Sequence, residues 1–323
     1  IALFPKDGQT EAELLKAADA AMYLAKQTGK QRFIFYSAHM ASQTQQRLEK
    51  ESMLRDASTK EQFVLFYQPQ VSLVTGKIVG VEALARWQHP EKGIISPGDF
   101  IALAEQLGLI TQLGNWALRT ACEQIAEWHR AGLPYIQVGV NISPAYFQDP
   151  GLLDTIKAIL EKTQVPAEYL QLEITENGLQ AVSRIDIFNQ LRKLGVKIAI
   201  DDFGSGFSSL ASLKQLPLDG LKIDKMFIED LLTNPHTPLL LGTIIGLANA
   251  LNFTLIAEGV ETKDQASVML GLGCQVMQGY LFSRPVSSND IPALMATDFS
   301  LDKKANQPND ISTNSTELKT ESN

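Results

Sequence analysis

From Phe63 to residue 281 the chain alternates between two kinds of segment, and that alternation limits the folds open to it. Eight strand candidates fall at 63–70, 77–87, 136–142, 169–175, 196–202, 219–224, 253–258 and 276–281. Helical stretches follow most of them, at 113–131, 151–163, 185–194, 238–251 and 263–272. A strand–helix repeat of this kind needs a parallel sheet covered by helices, and eight units suggest a closed barrel. One connection departs from the rule. "SLVTGKIVG" joins the first two strands through a Thr75-Gly76 turn, too short for a parallel crossover, so those strands should run antiparallel. The expected fold class is α/β, a modified (β/α)8 TIM-type barrel with an antiparallel first strand.

Successive side chains of a strand point to opposite faces, and here the division is consistent. In "VEALARW", Val81, Ala83, Ala85 and Trp87 share one face, and Glu82, Leu84 and Arg86 share the other. The same sorting sets Asn141, Glu173, Asp201, Lys222 and Glu258 opposite the apolar faces of their strands, near the C-terminal ends. In a barrel those ends converge on one rim, where such enzymes keep their chemistry. Glu82, Asn141, Glu173, Asp201, Asp202, Lys222 and Glu258 should therefore meet.

Taken singly, each has an ordinary reading: a carboxylate at a strand end pairs or caps, Asn141 forms a turn, and Lys222 completes a salt bridge. Taken together they do not. Four or more carboxylates at one rim repel one another, burial raises their pKa values, and Lys222 and Arg86 supply only two positive charges. One or two divalent metal ions would balance the set. All-oxygen ligands favour Mg2+ or Mn2+ over zinc. The tandem Asp201-Asp202 suggests a bridging carboxylate beside a ligand to a second ion. Two ions roughly 3.5–4 Å apart suit an in-line phosphoryl displacement by water. In "DDFGSGFSSL", Gly204 and Gly206 offer a phosphate cradle, but no GK[ST] follows, so a nucleotide P-loop is excluded. A loop beside the metal ligands, tied down by Glu176, fits better.

Composition narrows the function further. The 323 residues carry a net charge of −8, which argues against a nucleic-acid polymer as partner but not against a small phosphate ligand held by a metal. Two separate cysteines and four scattered histidines give no disulfide framework or zinc site. No apolar run reaches membrane-span length, so this fragment should make no membrane contact. A cytoplasmic location is expected, and a parent protein could be anchored upstream.

The motifs "VEALARW", "NIS", "EITE", "DDFGSGFSSL", "LKID", "AEGVE" and "QGY", in this order, resemble the EAL-domain phosphodiesterases of cyclic di-GMP across roughly residues 61–297. The resemblance implies hydrolysis of cyclic di-GMP to linear pGpG with Mg2+ or Mn2+. It also implies metal-ligand roles for Glu82, Asn141, Glu173 and Asp201, with Asp202 at a second metal and Glu258 beside it. Lys222 would orient the attacking water or stabilise charge. Arg86 would meet a substrate phosphate, Gln68 a guanine, and Gln278 would lie at the substrate. Glu176 and Glu261 would anchor the loop 203–209, which the family links to metal binding and dimerisation, so a homodimer through this domain is implied. The alternative is a cyclic di-GMP receptor that binds without hydrolysis. Such relatives have usually lost acidic ligands or the lysine, and here all are present.

The ends differ from the middle. Residues 1–36 resemble the C-terminal end of a GGDEF (diguanylate cyclase) domain without its signature. Within them "TEAELLKAADAAMYLAKQTGK" is an expected amphipathic helix, capped by Thr10 and Glu13, with Leu14, Ala18, Met22 and Ala25 on its apolar face and Gly29 as its stop. "RFIFY" reads as a short strand. Residues 37–60 suit a linker helix, and the polar stretch 298–323 a disordered tail.

Overall fold

The computed structural model describes residues 1–27, 33–206, 213 and 215–301. The eight expected strands all form: β1 (Phe63–Ser72), β2 (Lys77–His89), β4 (Gln137–Asn141), β5 (Leu170–Thr175), β6 (Lys197–Phe203), β7 (Gly220–Ile223), β8 (Thr254–Ala257) and β9 (Val276–Gln278). A short ninth, β3 (Gly93–Ile95), adds to the outer end of β2 as a hairpin.

The sheet closes. β2 and β4 to β9 run parallel in sequence order, and β1 pairs antiparallel with both β2 and β9. The inverted strand follows from the turn predicted at Thr75-Gly76. Gly76 takes a positive φ of 67° and donates its N–H to Ser72 O at 2.8 Å, a conformation that glycine adopts without steric cost.

The apolar strand faces pack outward against helices. Leu170, Leu172 and Ile174 of β5 are almost fully buried, as are Ile198 and Ile200 of β6. Helices Ile110–Arg130, Leu152–Thr163, Asp186–Leu194, Thr237–Ala250 and Lys263–Leu272 stand at the expected places and share one core with the barrel. Apolar burial at about 25 cal/mol per Å2 is the main force holding this ring to the sheet.

Several expectations about the ends change. The first helix, α1, spans Glu11–Gln27, and Glu13 does bond the Thr10 N–H, at 3.1 Å. Its buried side is Ala17, Ala20 and Ala21, however, and Met22 is exposed. α1 packs on the second helix, α2 (Ala38–Thr59), and alanines allow the close approach. Residues 33–36 form no strand: two bonds to Ile1, from Tyr36 N–H and to Ile34 O, do not build a ladder. The stop expected at Gly29 lies outside the described residues.

α2 is also more than a spacer. Leu54 and Ala57 are buried with Trp87, Phe100, Ala104 and Leu113 in a second apolar cluster on the side of the barrel. Residues 298–301, expected to open the tail, instead pack under the barrel. Phe299 N–H donates to Gly76 O at 2.9 Å, and the Phe299 ring meets Phe282. Phe299 and Leu301 supply the apolar surface of this segment; residues 302–323 lie outside the described residues.

Candidate metal centre and active site

The parallel register brings the predicted polar residues to one rim. Glu82 pairs with Gly139, Asn141 with Glu173, and Thr175 with Asp201. Gly139 has a specific use, because a side chain there would occupy the place of the Glu173 carboxylate. The glycine on β4 thus makes room for the acid on β5.

Lys222 stands at the centre and is fully buried. Its Nζ lies 3.1 Å from Glu82 Oε2, 2.8 Å from Glu173 Oε2, 3.0 Å from Asp201 Oδ1 and 2.6 Å from Glu258 Oε1. An ammonium group has three protons, so four carboxylates cannot all be satisfied by it. Among the described residues, Asp201 Oδ1 and Glu258 Oε1 accept no well-aligned hydrogen bond despite their closeness to Nζ. Buried acceptors left without donors are costly, and here they face one another across a site with excess negative charge.

The protonation tendencies express the same imbalance. Burial pushes Glu173 up to about 8 against the pull of Lys222. Burial and neighbouring Asp201 push Asp202 up to about 6. Asp201 and Glu258 are raised too, by burial first and by neighbouring carboxylates. Glu82 goes the other way: burial would raise it, but Lys222 and bonds from Gln278 and Asn141 hold it below the usual carboxylate range. Lys222 is held charged, since its carboxylates outweigh the cost of its burial.

Two groups of three carboxylates have ligand oxygens within 4.8 Å of one another: Glu82, Glu173 and Asp201, and Asp201, Asp202 and Glu258. They share Asp201. Strict alternation would send Asp201 and Asp202 to opposite faces of β6. The β6–β7 register shifts between Ile200 and Phe203, and Asp202 takes a positive φ of 51°, which is uncommon outside glycine although aspartate tolerates it. This irregularity turns both carboxylates toward the rim. The unbonded oxygens, the raised pKa values and the all-oxygen donor set fit one or two hard divalent cations.

The other predicted residues divide. Asn141 Nδ2 donates to Glu82 Oε1 at 2.6 Å and Gln278 Nε2 to Glu82 Oε2 at 2.6 Å. Gln278 also donates to Gln68 Oε1 at 3.1 Å, and Gln68 donates to Ser283 O at 3.2 Å. Arg86 is half-buried on the same strand face as Glu82 and donates to Ala85 O at 2.9 Å. Thr175 caps the helix Glu176–Ala181, which aims Glu176 back over the rim. Its Oε2 accepts from Gly204 N–H at 2.8 Å and Gly206 N–H at 3.1 Å. Those amides are thereby engaged by Glu176 rather than forming a phosphate cradle. Residues 207–212 and 214, covering the remainder of the loop, lie outside the described residues. Glu261 stands apart: it is exposed on the wall of the rim cavity and makes no bond to 203–206 among the described residues.

Two buried amides went unnoticed in the sequence. Gln70 donates to Gln278 Oε1 at 3.1 Å and Gln171 to Glu173 Oε1 at 3.2 Å. Each lies two residues from a predicted site residue on its strand, Gln70 from Gln68 and Gln171 from Glu173, so strand alternation applied to those residues also points to them.

The pKa shifts make a prediction about the metal-free protein. Glu173 and Asp202 bind protons more tightly folded than unfolded, where carboxyls titrate near ~4. Their contribution to stability is therefore present at low pH and lost as pH rises through about 6 for Asp202 and about 8 for Glu173. Glu82 and Lys222 shift outside this window. Melting in EDTA should fall from pH 6 to pH 8, and added Mg2+ or Mn2+ should raise it more at pH 8, where fewer protons need displacing. An equal metal response at both pH values would contradict the cluster.

Fold and rim together define an α/β barrel with an acidic mouth, rich in carboxylate oxygens suited to a cation, at the C-terminal ends of its strands. The chain belongs to the EAL domain family, whose model matches residues 51–285; Glu82-Ala83-Leu84 spell out its name. Over 298 residues it is 42% identical to the bifunctional diguanylate cyclase/cyclic di-GMP phosphodiesterase MucR of Pseudomonas aeruginosa, covering 92% of this chain and 44% of that protein. It is 40% identical to the cyclic di-GMP phosphodiesterase NbdA of the same organism, covering 88% of this chain and 37% of the relative. The chain thus spans less than half the length of these relatives. A solved structure described as the PaMucR phosphodiesterase in complex with c-di-GMP superposes with a TM-score of 0.71 at 41% identity, covering 76% of this chain and 99% of that one. No helix among the described residues is long and apolar enough to cross a membrane.

Proposed function

We propose that this chain is a metal-dependent phosphodiesterase domain that hydrolyses cyclic di-GMP to linear pGpG. The observation that carries the reading is the pair of three-carboxylate groups sharing Asp201 around the buried Lys222. Glu82, Asn141, Glu173, Asp201 and Asp202 are the ligands for Mg2+ or Mn2+, two ions in all. When bound, those ions supply the charge that acidifies an attacking water and steadies the leaving oxygen.

The chain's own groups do the rest. Lys222, whose carboxylate neighbours favour its charged form, orients the water and offsets charge developing on the phosphate. Glu258 carries an unbonded oxygen beside Lys222 and is placed to accept the proton of the water. Arg86 meets a substrate phosphate, while Gln68 and Gln278 line the base-binding side of the cavity. Glu176 fixes the backbone at Gly204 and Gly206 and so the approach to Asp202. A homodimer through this domain and a cytoplasmic location complete the reading, as does the origin of residues 1–36 in a GGDEF domain.

The test is incubation with cyclic di-GMP and Mg2+ or Mn2+, with products separated by chromatography. Accumulation of pGpG, abolished by EDTA, is expected. Binding without hydrolysis would overturn the enzyme reading in favour of a receptor.

A further inference from the structure

The two oxygens of Glu173 are not equivalent. The side chain is fully buried, and Oε2 faces the acidic cluster, 2.8 Å from Lys222 Nζ. Oε1 is enclosed by other groups. The backbone of β4 lies against it, since a side chain at Gly139 would overlap that oxygen. Gln171 meets it as well, its Nε2 donating to Oε1 at 3.2 Å.

Gln171 has no evident reason to be polar apart from this contact. It is 3% exposed and does not line the rim cavity. It precedes Glu173 by two residues on β5, so it points to the same face from one step deeper in the barrel. It pairs in register with Gly139, so the glycine leaves room for the carboxylate directly beside the amide that holds it. A buried amide is costly unless it is bonded. An ionised carboxylate only accepts, so the amide must present its N–H side to Glu173. Asp201 Oδ1 and Glu258 Oε1 differ: among the described residues neither accepts a well-aligned hydrogen bond.

We infer that Gln171 is a positioning residue that occupies Glu173 Oε1, leaves Oε2 as the one oxygen this side chain offers a cation, and thereby favours small divalent ions over larger ones. This rests on the metal-dependent reading above. Mg2+ demands near-ideal octahedral geometry, whereas Ca2+ takes about six to eight oxygens and accepts both oxygens of one carboxylate. A Glu173 confined to a single oxygen meets the first demand and withholds a ligand atom from the second.

Two variants test this. Gln171→Met keeps the side-chain volume and removes the donor; Gln171→Asn keeps an amide but withdraws it by one methylene. Mn2+ binding to the metal-depleted protein is followed at one pH by loss of the free-ion EPR signal, and Mg2+ and Ca2+ affinities are read from displacement of Mn2+. Loss of a partner that orients a metal ligand costs about 10–100-fold in affinity. In both variants Mg2+ should bind about tenfold more weakly while Ca2+ stays within about threefold of wild type, which raises the Ca2+/Mg2+ affinity ratio several-fold. A general loosening of the site would weaken both ions together and leave the ratio unmoved. A ratio within about twofold of wild type in Gln171→Met would therefore overturn this inference alone. Melting in EDTA reports whether that variant folds; if it does not, the same criterion applies to Gln171→Asn, which buries no new apolar group. Failure of the wild type to bind Mn2+ would overturn the metal-dependent reading, and this inference with it.

Discussion

Glu82→Ala should lose metal-dependent turnover, by about 10³-fold or more, in a protein that remains folded. Glu82 is central to the site and dispensable to the barrel, for separate reasons. Without it, Lys222 keeps Glu173, Asp201 and Glu258, so the buried ammonium is still paired. Asn141 loses its acceptor, whereas Gln278 keeps Gln68 Oε1. Against that loss, one negative charge leaves a set whose members raise one another's pKa, and repulsion eases. The opposed effects should leave the EDTA melting temperature within a few degrees of wild type. Asp201→Asn should behave likewise, because a bridging position needs charge and not just an oxygen. Chromatographic turnover assays and thermal melts on the same samples check both variants. Near wild-type turnover by either would displace the metal site from this rim.

The expected effect of Lys222→Met is of another kind. Removing the ammonium leaves Glu82, Glu173, Asp201 and Glu258 facing one another in a site where three of them are almost fully buried. Breaking a buried ion pair by taking one partner costs about 3–5 kcal/mol. That cost falls on the metal-free protein, which should melt roughly 10 °C lower in EDTA at about 3 °C per kcal/mol. Divalent ions replace the missing charge, so Mn2+ should recover more stability in the variant than in the wild type. Turnover should stay low even at saturating metal, because a metal ion does not restore the donor that orients water. A variant that melts like wild type in EDTA would mean the carboxylates are protonated together and that Lys222 is not their counter-charge.

Much of this was legible in the sequence. Strand alternation identified which side chains enter the barrel, and the short Thr75-Gly76 turn fixed the inverted strand, because both depend on local geometry. The apolar side of α1 was harder to read, since Leu14 and Met22 look like core residues, whereas the buried side carries Ala17, Ala20 and Ala21. Residues 298–301 looked like tail because Phe299 finds its partners at Gly76 and Phe282, far away in sequence. At the site, Asp202 was assigned from its tandem position, but the backbone irregularity that turns it to the rim is not written in residue types. The grouping of all four acids on a single lysine likewise depends on strand register and closure.

The amides inside the barrel have a direction. Gln70 donates to Gln278, Gln278 donates to Gln68 and to Glu82, and Gln68 donates to Ser283 O. Reversing one amide would set N–H against N–H or oxygen against oxygen, so the row keeps a common polarity or loses it as a unit. The Glu82 carboxylate, which only accepts, sets that polarity at Gln278, and the Ser283 carbonyl sets it at Gln68. A single orientational choice is therefore shared between the acidic rim and the side of the cavity that carries Gln68. Whatever neutralises Glu82 also loosens the sense in which Gln68 presents its amide, so a change of charge at the acidic rim reaches Gln68 without any strand having to move.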